Sequence, residues 1–317
     1  MTRVIFAGTP DFALASLMAL VEAGRTPVAV LTQPDRPAGR GKKLTASPVK
    51  QYAEQQGIPV MQPVTLRDDA VAAELEALRP DVMIVAAYGL ILPQNVLDIP
   101  THGCLNVHAS ALPRWRGAAP IQAAILAGDA STGISLMAMT AGLDCGPVFH
   151  TEEIDIGVDE TAGELHDRLA ALGGNTLCTN LDAILAGKLT AALQDETLAT
   201  YAPKIEKQDA AIDWSLPAAE LARRVRAYNP FPGCFFFGAA SAVNSGLKPL
   251  PRIKVWRATA VEGSAETGTV LQSDRDGIIV ACGTGALRLD ELQLPGKRRA
   301  TAQEFAGQLD LSGAGLD

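Results

Sequence analysis

The sequence has few of the residues from which metal centres and disulfide frameworks are built. Its 317 residues include only 5 cysteines and 4 histidines, and these form neither a C-x-x-C pair nor an H-E-x-x-H motif. We therefore expect no bound metal, no disulfide bonds, and a reducing, cytoplasmic location.

Hydrophobic runs long enough for a membrane are also missing. The longest apolar run, residues 82–92, is interrupted by Gly89 and has about half of the ~20 residues that a transmembrane helix needs. The first residues, MTRVIFAG, lack the cationic stretch and apolar region that mark a signal peptide. We expect a protein that does not associate with a membrane.

Positive charge is scarce in the first two thirds of the chain. The net charge is −8, which by itself argues against a nucleic-acid ligand. The acidic excess lies entirely in residues 1–203. Local patches nevertheless decide whether a polyanion docks. Arg114 and Arg116 are predicted to form one such patch. The other lies in residues 36–50, a Gly- and Pro-rich loop whose basic residues have no acid among them: Arg36, Arg40, Lys42, Lys43 and Lys50.

The first part of the chain alternates apolar runs with helical patterns. RVIFAG predicts a buried strand, and Thr9, Pro10 and Asp11 suit the start of a helix. Repeated strand–helix units predict an α/β fold with a doubly wound, mostly parallel, Rossmann-like sheet. The first turn reads GTPDFA instead of G-x-G-x-x-G, so we expect no NAD there.

Length and composition predict two domains. The first, a catalytic domain, covers residues 1–187, and the polar segment 188–206 reads as a linker. Residues 207–317 begin with a helix and continue as short apolar runs broken by Gly and Pro, which predicts a small, OB-like β-barrel. The stretches RRVR, KPLPRIKVWR and GKRR would give this second domain a basic face.

Unusual polar residues occur in the segment LNVHAS. Asn106, His108 and Ser110 share one face of a predicted strand, close to the carboxyl edge where α/β sheets bind ligands. An amide donor beside an imidazole suits a developing oxyanion. Asp144, in the turn GLDCG, could orient His108 and keep it protonated. The alternative is structural, with Asn106 and His108 bonded to backbone and Asp144 capping its own turn.

Several stretches together closely resemble the methionyl-tRNA formyltransferases, over nearly the whole chain. The N-x-H-x-S-x-L-P pattern is shared by all formyltransferases that use 10-formyltetrahydrofolate. The basic insert and the C-terminal part separate this family from the others. The matching stretches are FAGTPDFA (6–13), TQPDRPAGRGKKLTASPVK (32–50), NVHASALPRWRGAAPIQ (106–122), GLDCG (142–146) and IDW…RAYNPFPG (212–233).

The resemblance implies transfer of a formyl group from 10-formyltetrahydrofolate to the methionine α-amine of initiator Met-tRNA, for translation initiation, by a cytoplasmic monomer. It implies that Asn106, His108 and Asp144 form a catalytic triad. The folate site would be lined by Ser110, Ala111, Leu112 and Pro113. The tRNA contacts would come from Arg36, Arg40, Lys42, Lys43, Lys204 and Lys207.

The chain departs from the family pattern at three positions. Ala111 stands where the family usually has leucine, Thr140 where a carboxylate is frequent, and Cys145 where threonine is common. Two other functions remain open at this point. One is a hydrolase that releases formate from formyl-folate with the same Asn, His and Asp, and the other is a non-enzymatic RNA-binding module. The sequence has no G-x-S-x-G elbow and no Cys/His signature of a covalent nucleophile.

Overall fold

A computed structural model describes residues 2–38, 41, 43–237, 251–306, 311 and 315–316. The described chain folds into two compact units. The first comprises Met1–Pro120, Ser131–Asp155 and His166–Ala202, and the second comprises Ile121–Ala130, Ile156–Leu165 and Pro203–Asp317. Residues 188–202, which we interpreted as part of a linker, therefore belong to the first unit. The domain boundaries at 187 and 207 stay a prediction.

The elements of both units are as follows. The helices are α1 (Asp11–Glu22), α2 (Pro48–Gln55), α3 (Asp69–Ala77), α4 (Gln94–Leu97), α5 (Pro120–Ala127), α6 (Ala162–Leu185), α7 (Ala218–Ala227) and α8 (Ala302–Ala306), with 3₁₀ turns at Glu196–Leu198 and Lys207–Ala210. The strands of the first unit are β1 (Val4–Gly8), β2 (Ala29–Leu31), β3 (Arg36–Ala38), β4 (Lys43–Thr45), β5 (Val60–Met61), β6 (Val82–Ala86), β7 (Cys104–His108), β8 (Arg116–Gly117), β9 (Ser131–Ala138), β10 (Val148–Asp155) and β11 (Tyr201–Ala202). Those of the second unit are β12 (Phe235–Phe236), β13 (Ile253–Val261), β14 (Val270–Asp274), β15 (Gly277–Ala281), β16 (Ala286–Gln293) and β17 (Ala300–Thr301).

A seven-stranded sheet forms the centre of the first unit, in the order β10-β9-β7-β6-β1-β2-β5. Strands β7, β6, β1, β2 and β5 are parallel to one another. β9 runs antiparallel to both of its neighbours, β7 and β10. The prediction of a doubly wound, mostly parallel sheet is therefore confirmed. The winding reverses between β1 and β6, and there the Thr9 hydroxyl donates to the Tyr88 carbonyl over 3.1 Å. Ligands bind at such a reversal or along the same carboxyl edge.

Local chemistry sets where the helices begin. α3 starts at Asp69, because the Asp68 carboxylate accepts a bond from the Ala70 amide and caps the helix. The longest of the described helices is α6, with 24 residues. It opens with a capping box, in which Glu164 accepts from the Thr161 amide and the Glu164 amide donates to the Thr161 hydroxyl.

The basic stretch after β2 is not the irregular loop that we expected. β3 and β4 pair as a short antiparallel ribbon, while Gly39, Arg40 and Lys42 lie outside the described residues. Lys50 does not contribute a free charge, because its ammonium group contacts both carboxylate oxygens of Asp35, at 3.0 and 2.9 Å, and the Gln62 side chain at 2.8 Å. Arg36 and Lys43 are exposed.

The second unit contains an antiparallel sheet in the order β12-β13-β16-β15-β14, with β17 paired to β16. The prediction of a small domain of short strands is confirmed, and its closure into a barrel stays a prediction. The core contains Trp214, Phe236, Leu287 and Phe305, and α7 contributes its apolar face. Among the described residues, no helix has both the length and the apolar character needed to cross a bilayer.

Candidate active site

Asn106 and His108 are polar residues in an otherwise apolar central strand. They occupy alternate positions at the carboxyl end of β7, which β6 and β9 flank on either side. Asn106 is 8% exposed and His108 is 6% exposed. Because polar side chains this deeply buried need polar partners, the surrounding loops must supply them.

Asp144 brings its carboxylate to both residues from the loop between β9 and β10. Its Oδ1 lies 3.4 Å from Asn106 Nδ2, and its Oδ2 lies 3.8 Å from His108 Nδ1. The Gly117 amide also donates to Oδ2, over 2.9 Å. The three residues of the predicted triad are thus brought together. The carboxylate contacts groups far away in sequence, unlike an aspartate that only caps its own turn.

The imidazole of His108 has an oxygen atom near each ring nitrogen. Nε2 lies 3.0 Å from the Trp115 carbonyl oxygen, opposite the nitrogen that faces Asp144. Only the doubly protonated ring presents an N–H group to both oxygens. The 3.8 Å distance between Asp144 Oδ2 and His108 Nδ1 is too long for a hydrogen bond but short enough for an ion pair. The carboxylate can therefore stabilise a positive charge on the ring without fixing the orientation of the ring.

The predicted folate-binding turn, residues 110–113, is held by hydroxyl groups. β7 ends at His108, so Ser110 does not continue the strand face as we expected, and its hydroxyl donates to the Arg114 carbonyl over 2.6 Å. The buried Ser135 hydroxyl donates to the Ser110 carbonyl over 2.7 Å and accepts from the Leu112 amide over 3.0 Å. Ala111 contributes its carbonyl to the Arg114 amide, a bond that does not depend on the side chain of residue 111.

Two of the predicted folate residues border a cavity. Leu112 and Pro113 line a space of about 320 Å³ together with residues 148–151 of β10 and residues 192–195. The other departures from the family pattern contact each other, with Cys145 Sγ 3.6 Å from the Thr140 hydroxyl. Within the described part of the chain, no group of three or more His, Cys, Asp or Glu side chains is arranged to hold a metal ion.

The prediction for Arg116 is wrong. Its side chain is 1% exposed, and its guanidinium binds both carboxylate oxygens of Glu196, at 2.9 and 2.8 Å. Hydrogen bonding to Glu196 raises the pKa of Arg116 above its ordinary value. Arg116 therefore stabilises the protein interior and does not face a ligand, whereas Arg114 is exposed and lies over the Trp115 ring at 4.3 Å.

The RRVR stretch of the second unit also serves packing. Arg223 donates to the Leu126 carbonyl over 3.1 Å, and Arg226 donates to the Glu160 carbonyl over 3.0 Å. Burial lowers the pKa of Arg226. Arg224 pairs with Glu220 one helical turn away. These three arginines therefore act within the unit.

Other cations of the second unit lie on aromatic rings. Arg252 stacks on Phe235 at 3.6 Å, and Arg299 and Lys254 lie over the Trp256 ring at 3.8 and 4.8 Å. The pKa of Lys254 is lowered by burial and then by the nearby positive charges, including that of Lys207. We call this set the cationic cluster: Lys207, Arg252, Lys254 and Arg299. Lys204, another predicted tRNA contact, is exposed and lies shortly before Lys207 in the sequence.

Sequence reasoning missed the groups that support the triad. They are the Gly117 amide, the Trp115 carbonyl and the side chains of Ser135 and Gln194. The sequence does hint at Gly117, because a glycine often marks a backbone conformation that other residues avoid. Gln194 carries none, because it lies 50 residues from Asp144 in a segment without periodicity.

Comparisons with known proteins cover both units. The Formyl transferase family matches residues 2–181, and the Formyl transferase, C-terminal domain family matches residues 204–309. Methionyl-tRNA formyltransferase from Stutzerimonas stutzeri is 54% identical over 93% of this chain and 90% of its own length. The protein of the same name from Aromatoleum aromaticum is 54% identical over 96% of this chain and 93% of its own length.

Solved structures share the fold at low sequence identity. An N-formyltransferase from Helicobacter canadensis, in complex with folinic acid and dTDP-3-aminofucose, has a TM-score of 0.65 at 17% identity and covers 91% of this chain and 99% of its own. HypX from Aquifex aeolicus, in complex with tetrahydrofolic acid, has a TM-score of 0.60 at 17% identity over 96% of this chain and 47% of its own. The sequence relatives above, at 54% identity over nearly the whole chain, show that the chain belongs to the methionyl-tRNA formyltransferase family.

Proposed function

We propose that this protein transfers a formyl group from 10-formyltetrahydrofolate to the α-amino group of methionine on initiator Met-tRNA. The proposal rests chiefly on the convergence of Asn106, His108 and Asp144 at the carboxyl edge of the parallel sheet. The family membership supplies the substrate class. The amine of the substrate is itself the nucleophile, so the reaction needs no covalent nucleophile from the protein.

The donor set fits an N-formyl substrate. The folate co-substrate supplies an electrophilic formyl carbon, and negative charge develops on the formyl oxygen as the amine attacks. Asn106 uses one N–H group toward Asp144 and has a second that can donate to this oxygen, beside the imidazole of His108. Removing one such donor typically costs about 2.7–4 kcal/mol of transition-state stabilisation.

Asp144 has two tasks in this mechanism. Its carboxylate lies beside His108 Nδ1, where it stabilises an imidazolium whose positive charge opposes the negative charge that develops on the formyl oxygen. It also helps to move the proton that the attacking amine loses to the folate nitrogen, which leaves as a neutral amine when its bond to the formyl carbon breaks. The Gly117 amide holds one carboxylate oxygen during these steps.

The tRNA substrate is proposed to contact basic surfaces on both units. In the first unit these are the β3–β4 ribbon, with Arg36 and Lys43 exposed, and the predicted contacts Arg40 and Lys42, which lie outside the described residues. In the second unit it is the cationic cluster, together with Lys204. The pKa of Lys254 is lowered first by burial and then by the positive charges of Arg252, Arg299 and Lys207, and a bound phosphate would relieve the repulsion among these charges. Such contacts provide affinity and salt dependence and do not read bases.

We further propose that the enzyme acts as a monomer in the cytoplasm. The proposal is that Asn106, His108 and Asp144 of one chain suffice for formyl transfer. Light scattering at the concentration used for the activity assay tests this proposal, which predicts the mass of a single chain. Turnover that appears only under conditions of association would contradict it.

One incubation separates the proposed function from its two alternatives. The protein is mixed with 10-formyltetrahydrofolate and Met-tRNA, and formyl-Met-tRNA and free formate are quantified. We expect formyl-Met-tRNA in proportion to folate consumed, and none when the amine is blocked by acetylation. Formate as the sole product would establish a hydrolase. Retention of tRNA without either product would establish an RNA-binding module.

A further inference from the structure

Gln194 connects the catalytic turn to a buried arginine. Its Nε2 donates to the carbonyl oxygens of Asp144 and Gly146, over 2.9 and 2.7 Å. Its Oε1 accepts from Arg116 Nε over 3.0 Å. A single orientation of the carboxamide satisfies all three contacts, because both amide hydrogens face carbonyl oxygens and the oxygen faces a donor.

Arg116 gives Gln194 a fixed support. A buried guanidinium is stable only when it is paired and hydrogen-bonded, and Glu196 and Gln194 together meet that need. The backbone of Arg116 is held as well, since its amide donates to the Thr200 carbonyl over 2.9 Å within the β8–β11 pairing. These contacts of Arg116 therefore join residues 194–202 to strand β8, which also contains Gly117.

The turn that carries Asp144 needs such support. Asp144 has a φ angle of +47°, a left-handed conformation that is unfavourable for most non-glycine residues. Gln194 binds the carbonyls of Asp144 itself and of Gly146, on the backbone side of the turn. The Gly117 amide binds the carboxylate from the other side. The backbone conformation of this turn determines how far the carboxylate lies from Asn106 and His108.

We propose that Gln194, supported by Arg116, is a positioning residue that sets the distance of the Asp144 carboxylate from His108 and Asn106. This inference rests on the proposed function, because it assigns Gln194 an effect on formyl transfer. In this role Gln194 acts through its carboxamide, which contacts Asp144, Gly146 and Arg116 and not a substrate, although its side chain also borders the cavity beside Leu112 and Pro113. Its loss should slow the chemical step and leave the KM values for both substrates nearly unchanged, since a displacement of about 1 Å can cost about 100-fold in rate.

The decisive test is a double-mutant cycle. Gln194→Met keeps the length of the side chain and removes both donors. We expect kcat to fall about 10- to 100-fold in the wild-type background and less than about threefold in an Asp144→Ala background, because the turn then has no carboxylate to position. Gln55→Met, at an exposed glutamine of α2, is the matched control and should leave kcat unchanged.

A readout on the free protein accompanies the kinetics. The Gly117 amide should lose protection from hydrogen exchange in Gln194→Met, because its acceptor on Asp144 has moved, while the Arg116 amide keeps its protection through Thr200. Should Gln194→Met fail to fold, Gln194→Glu retains an acceptor for Arg116 and replaces the donors, and the same cycle applies to it. Equal losses of kcat in both backgrounds, or unchanged protection of Gly117, would overturn the proposal. A wild-type protein that forms no formyl-Met-tRNA would instead contradict the proposed function.

Discussion

At the residue scale, the side chains that we propose as catalytic have few polar partners. Asn106 and His108 are almost buried, and their described contacts are Asp144 and the Trp115 carbonyl. In these contacts, neither side chain binds a second carboxylate, which would compete with a developing oxyanion for the N–H groups. Cys104, at the other end of the same strand, illustrates the structural alternative, since burial raises the pKa of its thiol to about 12 and leaves it unreactive.

The first prediction concerns the two donors. Asn106→Ala and His108→Ala should each lower kcat/KM about 10²- to 10³-fold, because each removes a group that stabilises the negative charge on the formyl oxygen. Steady-state kinetics with both substrates measure the effect, and chemical denaturation checks that each variant folds. Near-normal turnover in either variant would disprove its role.

At the scale of elements, the pairing of β8 with β11 matters more than its two-residue length suggests. It presents the Gly117 amide to Asp144 and places Arg116 beside Gln194. Gly117 has a φ angle of +113°, and a Cβ atom there would lie 2.6 Å from the Ala202 carbonyl oxygen. Only glycine therefore permits this approach of the two strands.

The second prediction compares two glycines. Gly117→Ala should lower the free energy of unfolding by about 3 kcal/mol or more and also reduce kcat, because backbone strain and a clash coincide. Gly187→Ala is the control, since Gly187 has a φ angle of +68° but no described atom within 4 Å of the added Cβ, and it should cost about 1–2 kcal/mol. Urea denaturation measures both. Equal losses of stability would show that the contact with Ala202 has no energetic role.

The third prediction concerns acid stability around α2. Hydrogen bonds from Gln62 and then Lys50 lower the pKa of Asp35, so its carboxylate stabilises the fold above its unfolded pKa of about 3.9, and this contribution is lost as the pH falls below that value. Asp35→Asn should be less stable than the wild type at pH 7 and should lose less stability between pH 5 and pH 3. Denaturation curves at those pH values test this, and parallel losses in both proteins would contradict it.

At the scale of the whole molecule, net charge is a poor guide to function. The chain carries −8 overall, and several of its cations, including Arg116, Arg223 and Lys50, serve packing or internal ion pairs. The cations that we propose for contact with tRNA are grouped on each unit, at the β3–β4 ribbon and in the cationic cluster. A protein with this distribution can bind tRNA although its average charge opposes it.

The fourth prediction concerns salt. The logarithm of kcat/KM for Met-tRNA should fall linearly with the logarithm of salt concentration, whereas the KM for 10-formyltetrahydrofolate should change little. Arg299→Ala and Arg40→Ala should each weaken tRNA use and reduce the slope by about 0.7–0.9, the value for one lost phosphate contact. Arg67→Ala, at an exposed arginine outside both surfaces, is the control. An unchanged slope for Arg299→Ala would remove the cationic cluster from the tRNA surface.

The sequence by itself determined the features that depend on neighbours along the chain. Strand and helix periodicity specified the parallel sheet, the shared face of Asn106 and His108 follows from the two-residue repeat of a strand, and the family motifs specified the chemistry. Only the tertiary structure decided which charges are buried and which groups complete the site. Arg116 and Lys50 looked like ligands for an anion until Glu196 and Asp35 were seen beside them. Gln194 and the Gly117 amide reach Asp144 through long-range packing, and such contacts depend on how distant segments meet, which no local pattern records.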